Sequence, residues 1–324
     1  MKIAIVTSKI SAEGGVEIFN RDISNIFEDR GHIVDMYGRE NLPFIPSEDE
    51  VERVVGEHFN EVNKSKNYDV VLCNGEFGYA VDHPKTINIS HGSYYDYAMA
   101  VKDLVDDGLT QQRFKKANLQ KESAKNKFVV TVSNYSRNQL ERDGIKIDKM
   151  IPLSVDTNIF YSMNLEPTDV SLAISRQRYF EKGFDYLVKL GSEGVKIKLF
   201  SERNLDFPSI QNMGFGDNRI LGEEYNKAQV FLNPTRFEGG GLTTLEAMAC
   251  GCPVITTPTG YGWDIKEHIP EFISESFTFR EFYDKYLLVS SERKKHSKQA
   301  LEYFKEFHNP DDFKNRWISL VENF

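Results

Sequence analysis

The chain has 324 residues, with 40 Lys and Arg against 49 Asp and Glu, a formal net charge of −9 and 40% hydrophobic residues. This balance argues against a nucleic-acid binder, whose phosphate contacts need clustered basic side chains, and the length predicts two domains, each large enough to bury a core. No run of ~18 apolar residues occurs, and the opening MKIAIVTSKIS lacks the apolar core and cleavage site of a signal peptide, so a cytoplasmic chain that does not span a membrane is expected.

KIAIVTS (2–8) is a short apolar run followed by the loop KISAEGGVE and a helical pattern with Val16, Phe19, Ile23, Ile26 and Phe27 on one face, ending at Gly31. IVDMYG (33–38), DVVLCN (69–74), TINIS (86–90) and FVVTVS (128–133) are further β-rich runs, each closed by polar or glycine punctuation. Near-continuous apolar strands alternating with helices predict a parallel sheet covered on both faces. IPLSVDTNIF (151–160) and the turn-rich LEPTD (165–169) interrupt the pattern. A second set of strands then follows: VSLAIS (170–175), KIKLFS (196–201), VFLNPT (230–235) and PVITTP (253–258). The expected fold is α/β, with a doubly wound domain over 1–160, a second over 161–309, and a C-terminal amphipathic helix over 310–324 that packs back through Phe313, Trp317, Leu320 and Val321. Cys73, Cys250 and Cys252 are expected to be small buried thiols in a reducing compartment.

Residues 237–253 read FEGGGLTTLEAMACGCP, a glycine loop at the carboxyl end of a strand followed by a helix that Gly251 and Pro253 stop. Gly239, Gly240 and Gly241 let the backbone pass close to a ligand, and the N–H groups of the first helical turn, from Leu242 through Thr243 to Thr244, attract an anion, with phosphate the natural occupant. Glu238 and Glu246 flank that position. Two carboxylates around an anion site suit a sugar joined to a nucleoside through phosphates, one glutamate for each ring.

The E-x7-E spacing of Glu238 and Glu246 within PTRFEGGGLTTLEAMACGCPVI resembles the retaining glycosyltransferases of the GT-B fold, specifically family four, the group 1 glycosyl transferases. Three further segments agree with it in order: Gly14-Gly15 followed by Glu17, IPLSVDTNIF, and SRQRYFEKGFDYL. The resemblance implies two Rossmann-like domains facing across a cleft, with the acceptor on the first and a nucleotide-sugar donor on the second. It also implies that Gly14 and Gly15 face the donor phosphates, that Arg176 and Lys182 neutralise the diphosphate, and that Glu238 contacts the donor sugar and Glu246 the ribose. His91 would line the cleft near the transferred sugar. Arg178 competes with Arg176 for the diphosphate role, because Ser175 replaces the glycine usual before the motif arginine. Gly240 stands where many relatives carry an aromatic residue.

The expected activity is metal-independent sugar transfer with retention, from a UDP-, GDP- or ADP-linked sugar to a hydroxyl of a glycan, lipid-linked or small-molecule acceptor. No cofactor beyond the co-substrate is expected, since no Asp-x-Asp metal signature occurs and arginine, lysine and a helix N-terminus can meet the charge of the departing diphosphate. A nucleotide-sugar epimerase of the same shape, or a non-catalytic sugar-nucleotide binding protein, are the competing readings. Four local features keep two readings each. RFKKANLQKESAKNK (113–127) is a solvated helix or a weak peripheral contact with anionic lipid at the inner membrane face; SYYDYA (93–98) stacks on an acceptor sugar or packs internally; Ser133 and Asn134 face the cleft or cap a helix; Trp263 lines the sugar pocket or packs on its loop.

Overall fold

The computed structural model describes residues 1–11, 14–175, 179–214 and 217–324. Arg176 and Arg178, the two candidates for the diphosphate arginine, lie outside the described residues. Among those described, six strands form one parallel sheet: β1 (Lys2–Val6), β2 (Ile33–Tyr37), β3 (Val70–Asn74), β4 (Thr86–Ser90), β5 (Phe128–Thr131) and β6 (Lys149–Met150), in the order β2-β1-β3-β4-β5-β6. Helices α1 (Gly15–Glu28), α2 (Val51–Lys66), α3 (Tyr94–Val101), α4 (Asp107–Ala124) and α5 (Asn134–Arg142) connect them. The second sheet, also parallel, holds β7 (Val170–Ile174), β8 (Lys196–Phe200), β9 (Ile210–Gly214), β10 (Phe231–Asn233) and β11 (Val254–Thr256), in the order β11-β10-β7-β8-β9. Its helices are α6 (Phe184–Ser192), α7 (Asn218–Lys227), α8 (Leu242–Ala249), α9 (Tyr261–Ile265), α10 (Phe279–Ser291), α11 (Arg293–Phe307) and α12 (Pro310–Glu322).

Strands β3 and β4 are buried along their whole length, as a parallel sheet with both faces covered demands. The sequence pattern misses β6, which is only two residues long, and β9, an edge strand whose residues after Ile210 are exposed and which therefore carries no apolar run. Helix α12 returns to α1. Trp317 is fully buried with its ring 5.5 Å from that of Phe19, and Glu322 takes Arg30 at 2.7 Å, so the chain end is tied to its beginning. Among the described residues no helix is long and apolar enough to cross a membrane, and all three cysteines are buried free thiols.

Each strand order reverses direction once, at β1/β3 in the first sheet and at β7/β10 in the second. Ligands of open parallel sheets bind outside the carboxyl ends of the strands at such a reversal. The loops that leave β1 and β10 there are the ones that hold Gly14-Gly15 and Glu238–Gly241.

Candidate active site

The glycine loop after β10 is pressed against the first domain. Its Gly239 carbonyl accepts hydrogen bonds from Ser133 Oγ at 2.6 Å and Ser136 Oγ at 2.7 Å, both on the first turn of α5. Ser133 also caps α5 by accepting from the N–H of Ser136, so it is at once the N-cap and a cleft residue. A Cβ at Gly239 would overlap the carbonyl oxygen of His91, and only a residue without a side chain brings the two backbones this close. Gly240 is buried, with its carbonyl receiving the Tyr261 N–H at 2.9 Å; Leu153 and Tyr261 fill the space a side chain there would need.

Gly241 takes φ +106°, a left-handed conformation that suits glycine, and turns the chain into α8 without any side-chain cap. Among the described residues nothing accepts a hydrogen bond from the N–H groups of Leu242 and Thr243. Helix α1 likewise begins without a side-chain cap, at Gly14 and Gly15. The two helix starts lie close together at the cleft: a Cβ on Gly15 would stand 3.6 Å from Leu242 Cδ1. Two N-terminal dipole ends converging from opposite domains create a position that favours negative charge.

Beside this position Lys182, in the turn before α6, forms an ion pair with Glu238. Each keeps about a quarter of its side chain exposed, 26% and 24%, so a ligand can compete for both. The turn itself is braced by Arg236, whose guanidinium binds both oxygens of Asp185 at 2.8 Å and whose N–H bonds the Glu181 carbonyl at 2.8 Å.

His91, at the end of β4, is held by a chain of amides at the carboxyl ends of β1, β3 and β4. Asn20 Nδ2 donates to Thr7 Oγ1 at 3.0 Å, Asn74 Nδ2 donates to Asn20 Oδ1 at 2.7 Å, and Asn74 Oδ1 is thereby left to accept from His91 Nε2 at 2.9 Å. This assignment puts the imidazole proton on Nε2. Burial against Phe19, 4.9 Å away edge-on, pushes the His91 pKa down to about 4, so the ring is neutral at physiological pH. Glu246 lies deeper, buried on α8 with Tyr225 donating to its Oε2 at 3.0 Å, and desolvation raises its pKa to about 7.

Glu238, Gly239, Gly240, Gly241, Leu242, Thr243 and Lys182 thus come together in one place with His91 and Gly15, while Glu246 sits one turn below them. Sequence reasoning missed Asn74, Arg113, Glu181 and Arg236. Asn74 did carry a signal, a polar residue ending a wholly apolar strand. In the basic stretch 113–127, Arg113 pairs with Glu181 and Lys116 with Glu52 and Glu76 at largely buried positions, while Lys115 pairs with Asp49 and Lys125 with Glu122 on the exposed surface. In SYYDYA, Tyr94 donates to Glu76 and Tyr97 stacks on Phe237, whereas Tyr95 is exposed. Trp263 packs 6.3 Å from Tyr135 and beneath Lys266, still 39% exposed.

Residues 172–285 match the family model described as glycosyl transferases group 1. Over its whole length the chain is similar in fold to sucrose-phosphate synthase from Thermosynechococcus elongatus, with a TM-score of 0.81 and 18% identity, covering 99% of this chain and 98% of that one. It is similar also to WaaG, a glycosyltransferase involved in lipopolysaccharide biosynthesis, at TM-score 0.75 and 15% identity with 98% and 99% coverage. A third likeness is to HepE of Anabaena in complex with UDP-glucose, at TM-score 0.74 and 15% identity with both chains covered completely, 100%. No curated protein matches the chain in sequence. Identities this low speak for the fold alone, which is the two-domain GT-B fold, while the segment 172–285, which contains Lys182, Glu238 and Glu246, matches the group 1 glycosyl transferases: the chain is a glycosyltransferase with a group 1 domain in its second half.

Proposed function

We propose that the protein transfers a sugar from a nucleoside-diphosphate sugar to an acceptor hydroxyl with retention of anomeric configuration and without a metal ion. The observation that carries this reading is the convergence of the α1 and α8 N-termini on one side of the Lys182–Glu238 pair. In it the diphosphate lies between the two helix starts, taking the Leu242 and Thr243 N–H groups and the Lys182 ammonium, with Arg176 as a further cation. Glu238 turns from Lys182 to a hydroxyl of the donor sugar, Glu246 accepts from the ribose, and neutral His91 faces the transferred sugar. That HepE was solved with UDP-glucose and a starch synthase with ADP and acarbose supports a nucleotide-linked donor here.

Because Glu238 is then engaged with a sugar hydroxyl, it is poorly placed as a nucleophile of the kind retaining hydrolases use. Transfer then proceeds on one face. The bond from the anomeric carbon to the phosphate oxygen breaks, the acceptor oxygen bonds to that carbon from the same side, and the hydroxyl proton passes to an oxygen of the departing diphosphate. Lys182 and the helix starts meet the charge that builds on the leaving group. The buried free thiols fit a reducing compartment, and we place the reaction in the cytoplasm.

Thermal-shift measurements against UDP-, GDP- and ADP-sugars test the reading. One nucleotide class should raise the melting temperature, and the same donor should release its nucleoside diphosphate with or without added EDTA, giving a product of unchanged anomeric configuration by NMR. No stabilisation by any member of the panel overturns it.

A further inference from the structure

Arg113 lies on α4 of the first domain and Glu181 in the turn before α6 of the second, yet the two form an ion pair with side chains only 12% and 8% exposed. Tyr97 of α3 donates to the same Glu181 oxygen at 2.8 Å, and the Arg113 guanidinium lies 4.2 Å from the centre of the Tyr97 ring. The Tyr97 ring in turn stacks on Phe237 of the second domain, with centroids 4.5 Å apart and planes 13° apart. Glu181 immediately precedes Lys182 and Phe237 immediately precedes Glu238, the two residues that pair with each other beside the helix starts. One cluster from the first domain therefore grips the neighbours of both members of that pair.

Stability alone is a weak reason for this arrangement. A buried ion pair usually gains little over an apolar replacement, and among the described residues the Arg113 Nη1 atom is buried without a hydrogen-bond partner, which adds a cost. We infer that Arg113 and Tyr97 are positioning residues that couple closure of the two domains to the alignment of Lys182 and Glu238. The inference rests on the function proposed above for those two residues. When the domains part, Glu181 loses its bonds to Arg113 and Tyr97 and Phe237 loses the Tyr97 ring, so the two turns relax together. When they close, both turns are fixed by the same cluster.

Most of the groups that hold the donor in the proposed function, Lys182, Glu238, Glu246 and the α8 N–H groups, belong to the second domain and are kept in Arg113→Ala, so the donor KM should rise less than kcat falls, with kcat down by about tenfold to 100-fold, the scale of a misaligned reacting group. Arg113→Lys, which keeps the charge, should recover part of that loss, and Tyr97→Phe, which removes one hydroxyl and keeps the stacking, should lose kcat less than Arg113→Ala. Small-angle scattering of the full chain should show a larger radius of gyration for Arg113→Ala than for wild type. An unchanged radius, an unchanged kcat, or a loss carried by KM overturns the inference. If Arg113→Ala does not fold, Tyr97→Phe decides it by the same kcat criterion. A wild-type protein that turns over no nucleotide sugar refutes the proposed function instead, and the radius of gyration then decides the coupling on its own.

Discussion

The carbonyl oxygen of His91 occupies the space that a Cβ on Gly239 would take, so the two domains touch through bare backbone at the centre of the cleft. A methyl group here has no flexible side chain to displace. Gly239→Ala should therefore hold the domains apart, at a cost of about 1–3 kcal/mol in stability, and reduce transfer by about 100-fold through misplacement of the loop that follows. Gly15→Ala is the matched contrast, since its methyl would make ordinary contact with Leu242 at 3.6 Å, and its melting temperature should stay near that of wild type. Calorimetry on both variants checks the pair, and a Gly239→Ala protein as stable and active as wild type contradicts the contact.

Buried histidines make stability depend on pH with a sign that follows from their burial. His308 Nδ1 donates to the Leu153 carbonyl at 2.8 Å, and burial lowers its pKa from 6.5 to about 4. Below pH 6.5 the unfolded chain takes up a proton that the native protein refuses, so the contribution of His308 is present above 6.5 and is lost as pH falls toward 4. The destabilisation caused by His308→Gln, measured by urea unfolding, should be largest at pH 7.5 and shrink by roughly 1 kcal/mol per pH unit below 6.5. A penalty independent of pH contradicts a neutral buried ring.

The strands that reach the cleft are readable from sequence because full burial on both faces writes itself as an apolar run, as in VVLCN and TINIS. The glycine loop is readable too, because the close approach at Gly239 and the left-handed turn at Gly241 each demand a residue type. What the sequence hides is pairing between domains. Arg113 sits in a stretch whose basic character suggests a surface, and nothing local marks Glu181, 68 positions away, as its partner. The amide chain from Thr7 to His91 is hidden for the same reason, as its members come from β1, α1, β3 and β4, and only the folded sheet brings them into line.

Glu246 should give donor binding its own pH dependence. With a pKa raised to about 7 by burial, it is protonated on the acid side of neutrality in the free protein, whereas in the proposed complex the ribose hydroxyls donate to an ionised carboxylate. Affinity for a nucleotide sugar, whose diphosphate does not titrate in this range, should therefore weaken as pH falls below 7, approaching about tenfold per pH unit. Glu246→Gln should bind more weakly at pH 8 and show a flat profile. Isothermal titration between pH 5.5 and 8.5 checks this, and a flat wild-type profile removes Glu246 from the ribose.

Lys182 and Glu238 pair with each other in the free protein, but the proposed mechanism sends them to different parts of the donor, and that division is measurable. Lys182 belongs to the diphosphate, so Lys182→Ala should weaken binding of UDP and UDP-glucose alike, by about tenfold to 100-fold for a lost charge-assisted hydrogen bond. Glu238 belongs to the sugar, so Glu238→Ala should bind UDP at least as tightly as wild type, since it removes a negative charge beside the phosphates, yet lose affinity for UDP-glucose and reduce kcat by about 100-fold or more. GDP and ADP with their sugars replace this ligand pair if the thermal-shift panel selects them. Both side chains are partly exposed, so neither variant should unfold. Equal losses for nucleoside diphosphate and nucleotide sugar in both variants would put both residues on the diphosphate and leave the transferred sugar without its carboxylate.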